Sequence, residues 1–149
     1  MKLPRTIFAI ILLSPCVHLF SQSISDFIVI DEIADNITEL QAEFNDQPNV
    51  LWTDRDSPHA IRQIADFIAG LQIENLHIYV PTKPGAIVFS SIAITPDDVA
   101  DLAVELHAWS NAITKQVVIH SETVFTGEEG LLLKQRLEEA TGLLFTTLN

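Results

Sequence analysis

Phe27-Ile28-Val29-Ile30-Asp31 is the stretch on which the fold turns. Three of its four apolar residues are β-branched, and no polar residue alternates with them. Such a run suits a strand covered on both faces, as in a parallel sheet. Working outward, the same pattern returns at Val50-Leu51-Trp52, Leu76-His77-Ile78-Tyr79-Val80, Val117-Val118-Ile119 and Leu143-Leu144-Phe145. Helical spacing fills the intervals. Ile37, Leu40 and Phe44 form one stripe. Ile61, Ile64, Ala65, Ile68 and Leu71 form a second, started by Ser57 as cap and Pro58 at the first position. A third helix opens at Thr95-Pro96-Asp97-Asp98 and buries Val99, Leu102, Ala103, Leu106 and Ile113. A fourth opens on the capping box Thr126-Gly127-Glu128-Glu129, carries Leu133, Leu137 and Ala140, and stops at Gly142. Pro81 to Gly85 forces a loop, and Ala86 to Phe89 is a short extra strand or extended piece. Strand-helix alternation predicts a three-layer α/β domain, with a mostly parallel sheet of four to six strands and helices on both faces.

The chain has 149 residues, 48% hydrophobic and 19% charged, enough for one domain with a sizeable core. Lys2 and Arg5, the apolar run Ile7 to Leu13, and Ser21-Gln22-Ser23 have the anatomy of a secretory signal. The expected division is a signal peptide over 1–23 and a single domain over 24–149. The expected location is periplasmic or secreted, with no membrane span after cleavage. Leu13-Ser14-Pro15-Cys16 loosely resembles a lipobox, but Pro15 stands where a small flexible residue is needed. The apolar core is also short for a retained anchor.

Cys16 is the only cysteine, so residues 24–149 offer no thiol nucleophile, disulfide or cysteine ligand. They carry 20 acids against the 6 bases that follow Arg5, a formal charge of −14. That field repels nucleic acid and favours cationic partners.

In a parallel α/β sheet, sites lie at the carboxyl ends of the strands. His120-Ser121-Glu122 holds a base, a hydroxyl and a carboxyl at one such end, yet three consecutive residues rarely face one another. Asp31, Asp54 and Asp56 are the candidate oxygen ligands for a divalent cation. No pair among His59, His77, His107 and His120 has zinc-ligand spacing. No cofactor motif is present; Pro84-Gly85 is a turn signal rather than a phosphate cradle.

The strand Phe27 to Asp31, the turn Asp54-Arg55-Asp56, and the strand Leu76-His77-Ile78 with Pro84-Gly85 after it stand in a recognisable order. Gly127, Gly130 and Thr141-Gly142 complete it. From about Phe27 to Thr147 the chain resembles a bacterial family of caspase-like domains of unknown function, usually found heading large secreted repeat proteins. The resemblance implies a Ser-His-Gly after the third strand and a Tyr-Gly-Cys after the fourth. Counted from Pro84-Gly85, the histidine position falls on Pro81 and its neighbouring glycine on Thr82. Counted from Gly127 and Gly130, the cysteine position falls on Glu122 and the tyrosine on His120. A proline cannot move a proton, and Glu122 is no thiolate. The expectation is therefore a degenerate, free-standing, non-catalytic member. It binds a protein partner of the envelope or medium through a rim of Thr82, Lys83, His120, Ser121 and Glu122. The alternatives are a re-invented hydrolase at His120, Ser121 and Glu122, and a cation-binding domain.

Overall fold

In the computed structural model, residues 23–148 apart from Ser57 are described. The expected signal segment therefore lies outside the described residues except for Ser23, as does the expected cap Ser57. The chain runs β1 (Ser23–Asp31), α1 (Ile37–Phe44), β2 (Val50–Thr53), α2 (Ala60–Ile68), β3 (Gln72–Tyr79), β4 (Ile87–Val88) and β5 (Ala93–Ile94). A 3₁₀ turn (Pro96–Asp98) follows, then α3 (Ala103–Ala112), β6 (Ile113–His120), α4 (Gly127–Thr141) and β7 (Leu144–Leu148). The central sheet has the order β2-β1-β3-β6-β7, and every pairing in it is parallel. β4 and β5 form a separate antiparallel pair, so the Ala86 to Phe89 stretch does not join the main sheet.

The two faces are covered unequally. Phe27, Val29, Leu76, Ile78, Val117, Ile119 and Phe145 point to the face packed by α2, α3 and α4, where Ile61, Ile64, Leu106, Trp109, Leu133 and Leu137 complete the main core. On the opposite face, among the described residues, α1 alone packs, with Leu40 and Phe44 against Ile30 and partly buried Ile28 and Tyr79. Beyond α1 this second face turns polar. The register aligns Asp26, Asn75, Gln116 and Leu144 in one row, and Ile30, Tyr79, His120 and Leu148 in another. Asn75 Nδ2 donates to Asp26 Oδ1 (2.9 Å), and Gln116 Nε2 donates to Asn75 Oδ1 (3.2 Å). A hydrogen-bonded row of this kind needs no helix above it.

Three local expectations are corrected. α2 begins at Ala60 rather than Pro58: His59 is the cap, its ring nitrogen accepting from Arg62 N (3.4 Å). Ser91 Oγ accepts from Ala60 N (2.8 Å), which fixes where the helix starts. The helix expected from Pro96 through Ile113 is broken. Thr95 and Asp98 form a capping box around a single 3₁₀ turn, which Arg136 clamps through Pro96 O (2.7 Å), and α3 starts afresh at Ala103. Ile113 is then the first residue of β6. At α4, Thr126 is the cap, but its hydroxyl donates to Thr123 O (2.7 Å) rather than accepting from the helix. Gly142 ends α4 in the left-handed region (φ 70°), donating to Glu138 O, as a helix-stopping glycine should. No helix among the described residues is long and apolar enough to cross a membrane.

Candidate functional site

A cleft of about 380 Å³ opens at the carboxyl ends of β3 and β6. Asp35, Asn36 and Leu40, at the start of α1, line one side. Tyr79, Val80 and Thr82 line it from the end of β3, and His120, Ser121 and Glu122 from the end of β6. Leu148 of β7 closes it. Four of the five expected rim residues thus meet in one cavity. Lys83 is exposed and does not line it, and Pro81 is half-buried beside it. Asp35 Oδ2 accepts from Thr82 N (2.8 Å), which ties the β3 loop to α1 across the cleft. Asn36 sits in the left-handed region (φ 58°), which asparagine tolerates better than most residues.

His120 is held in the cleft by two neighbouring rings. Its ring stacks on Tyr79, with centroids 3.8 Å apart and planes 11° from parallel. Its Nε2 lies 3.0 Å from His77 Nδ1, and His77 Nε2 lies 3.2 Å from Asp26 Oδ1. With both rings neutral, the Asp26 acceptor places the His77 proton on Nε2, and His77 Nδ1 then accepts from His120 Nε2–H. The lone pair of His120 is left on Nδ1. Burial, and then the neighbouring His77, push the His120 pKa down to about 4. Burial, with the negative Glu43 adding to it, raises that of Tyr79. The side-chain hydrogen bond from Asn75 leads in holding Asp26 below the usual carboxylate value.

These shifts give a pH dependence of stability. His120 in the unfolded chain takes up a proton below about 6.5, whereas in the folded chain it does so only near 4. Between those values the unfolded chain binds more protons. Stability is then full above the upper value and falls as pH drops toward the lower one. The ideal amplitude is about 3 kcal/mol, and partial solvation of the ring reduces it to about 2 kcal/mol. Urea melts between pH 7 and 4 should show this slope in the protein and a flatter one in His120→Phe. Equal slopes would refute the assignment.

Ser121 follows the last residue of β6 and also lines the cleft. It is 3% exposed, its hydroxyl has no partner, and no hydrogen bond joins it to His120 among the described residues. Glu122 is exposed. The three aspartates are not assembled. Asp31 is fully buried and accepts from Thr53 Oγ1 (2.8 Å), Ser90 Oγ (3.1 Å), Ser90 N (2.9 Å) and Ile33 N (3.2 Å). Asp54 accepts from Asp56 N and Gln63 in the lead-in to α2. Among the described residues no group of three or more His, Cys, Asp or Glu is placed to hold a metal ion.

The glycines of the family-like pattern have a packing role next to the cleft. Val124 O accepts from Gly85 N (3.0 Å), and a Cβ at Gly130 would stand 2.7 Å from the same oxygen. Pro84-Gly85 and the first turn of α4 therefore close on one backbone carbonyl.

The fold and cleft define a three-layer α/β domain with a strand-end cavity. The chain belongs to a domain family of unknown function (DUF4347), whose model matches residues 27–147. No curated protein and no solved structure matches it.

Sequence reasoning missed His77 and Asp26, which orient His120, and Asp35, Asn36, Leu40 and Leu148, which wall the cleft. A signal for the first pair was present. Asn75 and His77 on β3 and Gln116 on β6 are polar positions at even spacing in otherwise apolar strands, the mark of a face that is only partly covered.

Proposed function

We propose that this protein is an exported, non-catalytic caspase-like domain that binds a protein partner of the envelope or medium through the strand-end cleft. The observation that carries the reading is the convergence of Thr82, His120, Ser121 and Glu122 on one cavity. The positions that match the family's histidine and cysteine are Pro81 and Glu122, neither of which performs that chemistry. The base nearest the cleft, His120, is bonded to His77 rather than to a nucleophile. Exposed loops held by a rigid sheet are where binding residues concentrate.

The test is affinity capture from envelope and culture fractions under moderate salt, which removes loosely held basic proteins. The unmodified protein should retain one stoichiometric partner. Leu148→Trp, which fills the cleft, should lose it, whereas Val104→Asp, on α3, should keep it. A partner held equally by the filled cleft would refute the proposal. Ester and peptide libraries should remain unturned. Turnover abolished by His120→Ala would overturn the non-catalytic reading.

A further inference from the structure

We infer that the cleft receives a basic side chain, arginine or lysine, presented by an extended segment of the partner. This inference rests on the binding reading above and deepens it. Two carboxyl groups, Asp35 and Glu122, line the cleft, and among the described residues no lysine or arginine does. The bases near other acids are already paired: Arg55 with Glu32, Arg62 with Asp66, Lys115 with Glu74, Lys134 with Glu138, and Arg136 with Asp97. Neither Asp35 nor Glu122 has an ion-pair partner among the described residues. With both rings neutral, the Asp26–His77–His120 chain leaves a third acceptor, the Nδ1 lone pair of His120, on a residue of the same lining.

An independent observation comes from Ser121. It lines the cleft, is 3% exposed, and its hydroxyl is without a partner among the described residues. A buried polar atom left unpaired costs free energy until a ligand or water satisfies it. The remaining walls suit the stem of a basic side chain. Leu40 and Leu148 are apolar, and long cationic side chains lay their methylenes along such surfaces while the charge meets acceptors. The cavity, about 380 Å³, is at the small end of ligand sites and matches one long side chain with its flanking backbone. The formal charge of −14 over residues 24–149 steers cationic segments toward the protein.

The experiment is an NMR titration of the protein with blocked glycine peptides bearing arginine, lysine, norleucine or glutamate at the centre, at mildly alkaline pH. Arginine or lysine should bind with saturation and shift the Tyr79 and His120 ring signals. Norleucine, which keeps the stem and lacks the charge, should bind at least about tenfold more weakly, as should glutamate. Glu122→Gln combined with Asp35→Asn should reduce arginine binding by about the same factor. Glu122→Gln alone, at an exposed position, provides a variant that folds. Norleucine binding as tightly as arginine would overturn the inference, as would arginine binding indifferent to both substitutions, or no binding by any peptide. If that happens while Leu148→Trp still loses the captured partner, the binding module stands and only its basic ligand is excluded. If Leu148→Trp also keeps the partner, both readings fall.

Discussion

Asp31→Ala should lower the unfolding free energy by about 3–5 kcal/mol, the range for removing one partner from a buried charged or strongly polar cluster. The side chain is fully buried at the end of β1 and accepts four hydrogen bonds. Its donors come from three places: Ile33 in the turn that follows, Thr53 at the end of β2, and Ser90 in the β4–β5 turn. Alanine leaves two hydroxyls and two amides facing one void. The hydroxyls can rotate, but the amides of Ser90 and Ile33 cannot. Asp31→Asn keeps the volume and one oxygen and should cost about 1–3 kcal/mol. Denaturant midpoints with unchanged m-values measure both. Alanine and asparagine costing the same, or alanine costing under about 1 kcal/mol, would show that the cluster adds little.

Gly130→Ala should destabilise by about 3 kcal/mol, the upper part of the range for overpacking. At an ordinary mid-helix site the same change stabilises by about 1 kcal/mol. Here the added Cβ would lie 2.6 Å from the carbonyl carbon of Phe125, 2.7 Å from Val124 O and 2.9 Å from the Phe125 Cα. All three are backbone atoms, so no side chain can swing aside. Relief requires α4 to back away from the loop after β6, and that loosens the Gly85 bond to Val124 O. Gly127→Ala separates packing from conformation. Its Cβ meets open space, but its φ of 71° is costly for a side-chain-bearing residue, by about 1 kcal/mol. Thermal melts of the two variants should therefore differ clearly. A Gly130→Ala protein as stable as the parent would refute the contact.

The parallel sheet was legible because Phe27 to Ile30 of β1 and Val117 to Ile119 of β6 are apolar on both faces, a pattern that few other folds require. α2 was legible as a stripe because Ile61, Ile64, Ala65 and Ile68 are all buried. α3 was not legible as a separate element. Thr95-Pro96-Asp97-Asp98 is a sound helix start, yet it forms a single 3₁₀ turn, with Arg136 from α4 bonded to Pro96 O. Ser90-Ser91 carried no signal at all. Its importance lies in reaching Asp31 and the first amide of α2, contacts across 59 and 31 residues.

The rim followed from the rule that loops after parallel strands share one edge. The opposite wall did not, because Asp35 and Leu148 reach the cleft only through the packing of α1 and the register of β7 against β6. The His77–His120 contact spans 43 residues and depends on strand pairing, so spacing along the chain gives no hint of it.

The all-parallel pairing has a kinetic consequence. β1, the first strand described, lies between β2 and the central strand β3, and β7 closes the far edge against β6. No neighbouring strands of the central sheet can zip from a tight hairpin, so each pairing must await closure of a long loop that contains a helix. Refolding should be slow for a domain of this length. Its rate-limiting barrier should be most sensitive to residues of β1 and β3, where the nucleus has to join segments nearly fifty residues apart.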